Sequence, residues 1–148
     1  MGVFGGWFGR PGPEINLSAI DFWRRLIAID LGMADDNTPV RFVPMGCGVR
    51  TRDGFRIKGG HTNGALIELN SDVVTGRNCL HVLAHEMRHV WQFRTTAGRT
   101  VGLSEHDAEE YAQGFCRALP RVLADARRAR RLLWVQELQL FAPRFFER

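Results

Sequence analysis

His85, Glu86 and His89 stand in the spacing His-Glu-x-x-His, inside a run (residues 83–92) that reads as helix. At about 100° per residue the two histidines fall one turn apart on the same helix face. Two imidazoles so placed can grip one Zn²⁺, and Glu86 lies beside them as a general base for a water on that metal. Neutral imidazole suits zinc, which keeps an open fourth position where it does chemistry. The competing account is a helix that carries two histidines by accident, since three fixed residues in five recur by chance.

The helix that must hold these residues starts near Asn78, an N-cap residue type, and runs to about Phe93. Leu80, Leu83, Ala84, Met87, Val90 and Trp91 give it an apolar side. His81 precedes His85 by one turn, but three histidines on successive turns do not converge on one tetrahedral ion, so His81 is expected to pack or hydrogen-bond.

Upstream, residues 40–43 form a strand candidate. Residues 50–58 read as a hairpin about Asp53-Gly54, and 65–70 as an alternating strand. Residues 59–64 between them read as a turn or loop; it carries His61, a surface histidine or a donor to a developing oxyanion. Further upstream, Ser18 opens a helix with Asp21 as its capping-box partner, and Gly32 ends it.

Downstream, residues 94–103 read as a loop, and a helix runs from Ser104 to Leu119. Pro120 either ends that helix or begins a last, basic amphipathic one over 121–141, which Pro143 stops. Residues 1–16, with Gly5-Gly6 and Pro11-Gly12-Pro13, form a loose arm whose Phe4, Trp7 and Phe8 are expected to pack onto the domain. Residues 17–148 make one α+β domain, with a small, mostly antiparallel sheet against the motif helix and further helices on either side.

Composition agrees with such a domain. The chain has 148 residues, 45% apolar and 24% charged, enough for a core and ordinary for a globular protein. No apolar run is long enough to span a bilayer, and the N-terminus lacks a signal-peptide layout. Cys47, Cys79 and Cys116 are odd in number and far apart, which suggests reduced thiols and a cytoplasmic setting. The net charge is +4, and Lys58 is the only lysine. Much of the excess lies in Arg121, Arg127, Arg128, Arg130 and Arg131. Such a run is a solvated helix face or a surface for nucleic acid or an acidic partner.

The motif followed by Glu105-x-x-x-Glu109 on a second helix resembles the gluzincin metallopeptidases. The stretch Glu105-x-Asp107-Ala108-Glu109-x-Tyr111-Ala112 is similar to that of the ImmA/IrrE-type peptidases. Asp107, Glu109 and Tyr111 stand where that family's pattern has Glu, Asn and Phe. The resemblance covers roughly residues 65–119. It implies a minimal zincin-like domain in which His85, His89 and Glu105 bind Zn²⁺, Glu86 is the base, and Glu109 supports a ligating histidine. The strand 65–70 would then be an edge that binds extended substrate. On a helical wheel Glu105 and Glu109 lie in line with the apolar stripe Ala108, Ala112, Phe115, Cys116 and Leu119. Asp107 lies opposite, with Ser104 as a capping box. The expected activity is zinc-dependent hydrolysis of peptide bonds in a protein or peptide, with Tyr111, His61 and nearby arginines open as oxyanion donors. The alternatives are a zinc-stabilised regulatory or binding module without turnover, and a basic nucleic-acid-binding protein.

Overall fold

The computed structural model describes residues 17–52, 54–56 and 58–128. The expected N-terminal arm, the position Asp53 in the expected turn, and the last helix beyond Arg128 lie outside the described residues. Helix α1 spans Leu17–Asp30. Five short strands follow, β1 (Val40–Val43), β2 (Val49–Thr51), β3 (Gly54–Arg56), β4 (Gly60–Thr62) and β5 (Ile67–Asn70). Three helices complete the order among the described residues, α2 (Cys79–Arg94), α3 (Thr96–Val101) and α4 (Glu105–Arg128).

The result is a small α+β fold, but its main sheet is mixed. The strand order is β1-β5-β4, with β1 parallel and β4 antiparallel to β5. The parallel pair departs from the mostly antiparallel sheet expected above. Residues 44–66 are a connection long enough to return the chain in the same direction, and hairpin β2–β3 forms a separate two-stranded sheet within it. The strand over 67–70 is therefore central, and the edges are β1 and β4, the latter in a stretch that reads as loop because it is rich in glycine.

Tight side-chain bonds make that edge possible. Asn63 Oδ1 accepts from the amides of Ala65 and Leu66, and Thr62 Oγ1 donates to the Leu66 carbonyl at 2.7 Å. Gly64 turns the chain at φ 91°, where a Cβ would also meet the Phe93 ring at 2.9 Å. Asn70, fully buried, donates to the carbonyls of Gly46 and Lys58 and accepts from the Met45 amide. One side chain thus fastens both flanking loops to the central strand.

Helix α1 begins at Leu17, and Asp21 pairs with Arg24 and Arg25; the Ser18 side chain of the expected capping box lies outside the described residues. It ends at Gly32 (φ 73°), where the Met33 amide reaches back to the Ala28 carbonyl at 2.7 Å. Phe22 and Ile27 of α1, Ile67 and Leu69 of β5, and Leu83 and Met87 of α2 are fully buried in one core. Ala112, Phe115 and Leu119 of α4 join it. Residues 94–103 are not all loop. Thr95 caps α3 by accepting from the Gly98 amide at 2.8 Å while its hydroxyl donates to the Trp91 carbonyl. A Cβ on Gly98 would sit 1.9 Å from that carbonyl oxygen, so only glycine lets α3 fold back on α2.

Helix α4 passes through Pro120 without stopping. The missing N–H leaves the Cys116 carbonyl without its helical donor, a fault confined to one turn. Arg127 and Arg128 fall within α4 and Arg121 is exposed; Arg130 and Arg131 lie outside the described residues. No helix among the described residues is long and apolar enough to cross a membrane. All three cysteines are free. Cys47 is exposed, and burial pushes Cys79 up to about 12 and Cys116 up to about 11.

Candidate metal centre

Helix α2 is built to carry a polar edge beside a buried face. Leu83, Ala84, Met87 and Val90 are inaccessible to solvent, and His81 and His85 sit half-buried at the margin. Asn78 stands at the helix start but makes no side-chain cap; it accepts from the Thr75 amide and donates to the Val73 carbonyl. Helix α4 approaches the polar edge with its N-terminus. Gly102 (φ 78°) turns the chain, and Ser104 Oγ accepts from the Asp107 amide at 3.0 Å. The Asp107 carboxylate does not return the bond, so only half of the expected capping box forms. It goes to Arg88 and Gln92 instead.

His85, His89 and Glu105 come together in this seam. Glu105 Oε2 lies 2.9 Å from His85 Nε2, and Oε1 lies 3.0 Å from His89 Nε2. One ligand atom from each residue falls within 4.8 Å of the others, a group able to bind a metal ion. With metal–ligand bonds of about 2.0–2.1 Å, ligand atoms of a tetrahedral site are roughly 3.3 Å apart. The observed separations are slightly shorter, and the Glu105 side chain, 81% exposed, has room to withdraw.

The outward nitrogens are held as well. His85 Nδ1 faces Glu109 Oε2 at 3.0 Å, and His89 Nδ1 faces Gln92 Oε1 at 2.7 Å. The other Glu109 oxygen pairs closely with His81 Nε2. Burial raises the Glu109 carboxyl, but His81 and His85 outweigh it and the net shift is downward. Four ring nitrogens face four acceptor atoms, so each of the four contacts calls for a hydrogen or a cation between its partners. A cation among the Nε2 atoms and Glu105 meets the same demand with neutral rings, each donating from Nδ1, as ligating histidines do. Two imidazoles and one carboxylate fit zinc, and imidazole also suits copper, iron and nickel.

Glu86 is 5% exposed on the flank of α2. Burial pushes its carboxyl up to about 6 against the pull of His85 and His89; Glu105 adds to the rise and Lys58 opposes it. Strand β4 presses on it, since a Cβ on Gly60 would meet Glu86 Cγ and the Glu68 carbonyl oxygen, each at 3.0 Å. Gly60 therefore faces α2, and by strand alternation His61, exposed and opposite Glu68, faces away from it. The Tyr111 hydroxyl donates to Asp30 Oδ2 at 2.7 Å, which commits it to the end of α1. His106 is exposed beside Glu110.

Two further residues of the seam, Gln92 and Arg88, lie outside the expected ligand set. Gln92 was findable, being three residues after His89 and so on the same face. The Arg88–Asp107 pair, at 2.8 and 3.2 Å, joins two helices and has no signature in sequence spacing. No protein-family model, no curated protein and no solved structure matches the chain.

Proposed function

We propose that the chain is a zinc-dependent metallopeptidase with a gluzincin-like site: His85, His89 and Glu105 hold the metal, Glu86 is the catalytic base, and Glu109 orients His85. The supporting observation is the pairing just described. Both Nε2 atoms converge with Glu105 while both Nδ1 atoms already have acceptors. Zinc bound there would supply a Lewis acid that lowers the pKa of water toward about 7 and polarises the scissile carbonyl.

The chain's own residues would do the rest. Glu86 takes the proton from the attacking water as its oxygen bonds to the carbonyl carbon. It then delivers that proton to the amide nitrogen as the C–N bond breaks. Among the described residues no strand pairs with the outer edge of β4, which runs beside Glu86, and an extended protein or peptide segment can add there as a further strand.

Metal analysis of the purified protein with a peptide-hydrolysis assay tests this reading. About one zinc per chain is expected, with turnover in the native chain. Glu86→Gln is expected to retain zinc and fold while losing turnover, because the amide cannot accept the proton. Unchanged zinc in a His85→Ala, His89→Ala double variant would place the metal elsewhere, and retained turnover in Glu86→Gln would exclude the mechanism.

A further inference from the structure

We propose that Gln92 and Asp107 are the positioning pair for His89, fixing which imidazole nitrogen is left free for a metal ion; this rests on the metal reading of His85, His89 and Glu105. The two histidines are supported by different chemistry. His85 Nδ1 faces a carboxylate from another helix, Glu109. His89 Nδ1 faces a neutral amide from its own helix, Gln92, and that amide is 2% exposed.

A neutral amide can serve in either of two orientations, and only one of them suits a metal ligand. With Oε1 toward His89, Nδ1 must carry the proton and Nε2 keeps its lone pair. With the NH₂ toward His89, the tautomer reverses and Nε2 becomes a donor. The surroundings of Gln92 select the first. Its Nε2 donates to Asp107 Oδ2 at 2.8 Å and to the Ser104 carbonyl at 3.1 Å. Its Oε1 accepts from the Ser104 amide at 3.3 Å on the side shared with His89. Turning the amide over would set its oxygen against a carboxylate and a carbonyl, and its NH₂ against a backbone N–H. The buried Gln92 amide would then lose its partners on both sides, which is costly where water does not reach it.

Asp107 is the decisive member because it is a pure acceptor. Both of its oxygens already accept from Arg88, Oδ2 from Nε at 2.8 Å and Oδ1 from Nη2 at 3.2 Å. Arg88 in turn lies 3.6 Å over the Trp91 ring and 5.2 Å from that of Tyr111, which Asp30 fixes. The order Arg88, Asp107, Gln92, His89 is thus a line of donors and acceptors with one consistent direction. A structural role alone, docking α4 onto α2, would need the bonds but not their direction.

The test reads the direction first, without metal. In a Glu105→Ala background, which removes the carboxylate facing the other nitrogen, imidazole ¹⁵N NMR near pH 8 is expected to show His89 protonated at Nδ1. Adding Gln92→Leu is expected to shift it toward Nε2–H. In the otherwise native chain, Gln92→Leu is expected to weaken zinc binding about 10–100-fold in a chelator competition. Asp107→Ala, at a half-buried rim position, covers the case in which Gln92→Leu does not fold; it frees the amide to turn and gives a smaller loss of the same sign. A His89 tautomer unchanged by both substitutions, with native zinc affinity, would overturn the proposal and leave the metal reading intact. If the native chain takes up no zinc while the tautomer shifts as described, the metal reading fails and the directional role of Gln92 stands.

Discussion

Helix α2 is held on two sides by opposite means. Toward α1 and the sheet it meets Phe22, Ile27, Ile67 and Leu69, all fully buried and all apolar. Toward the start of α4 it meets small side chains, Ala108 and Ala112, beside Glu105, Glu109 and Asp107. The first side gains free energy from area removed from water, a term with little directional demand. The second depends on bonds that work only at set distances and angles. The difference teaches where tolerance lies: the apolar side can be repacked, whereas the polar side depends on particular atoms meeting at hydrogen-bond distance.

If this division holds, damage to each side gives a different signature. The largest effect is expected from Glu105→Ala, which leaves two nitrogen ligands and should abolish stoichiometric zinc in metal analysis, with little change in urea unfolding when both proteins are compared free of metal. Stoichiometric zinc in that variant would remove Glu105 from the ligand set. Leu83→Ala is the converse. It should cost about 2–5 kcal/mol in urea unfolding while the folded fraction still binds zinc; a loss of zinc at constant stability would blur the two sides. Glu109→Ala is expected to fall between, weakening zinc about 10–100-fold in a chelator competition because His85 loses its orienting acceptor. Native affinity would make Glu109 a partner of His81 only. Gly98→Ala should destabilise by about 1–3 kcal/mol through collision with the Trp91 carbonyl, again with zinc retained once folded.

The smallest expected effect is on pH dependence. The Asp107 carboxyl is held low chiefly by Arg88, so the stability it contributes is present above its unfolded pKa of about 3.9 and is lost as pH falls through its folded value. Asp107→Ala should flatten the acid side of the melting-temperature profile below about pH 4. An identical profile would mean that the Arg88–Asp107 pair contributes nothing to folding.

Much of this seam was legible in sequence because its parts are local. The i, i+4 spacing of His85 and His89, the wheel position of Glu105 and Glu109, and the cap residue Ser104 each follow from one helix at a time. What stayed hidden depends on pairs distant along the chain. The parallel register Val40↔Ile67 is one example, and the close approach of Gly60 to Glu86 is another. Glycine at 59 and 60 reads as loop by propensity, yet here it marks a strand pressed against a helix. Pro120 misled for the opposite reason, since a local rule for stopping a helix gave way to the continuation of α4 through it.

The mixed sheet also orders events in time. Strands β4 and β5 join through a four-residue turn, and α2, α3 and α4 follow one another closely, whereas β1 must find β5 across residues 44–66. Closing the longer loop costs more chain entropy before any contact forms. We predict that β1 docks after the folding barrier, so that Phe42→Ala speeds unfolding and leaves the refolding rate nearly unchanged in stopped-flow traces. Refolding slowed in proportion to the lost stability would instead put β1 in the nucleus. On the predicted order, the segment bearing the two histidines and Glu105 gathers before the sheet is complete, and a metal ion could be captured by a chain still missing its first strand.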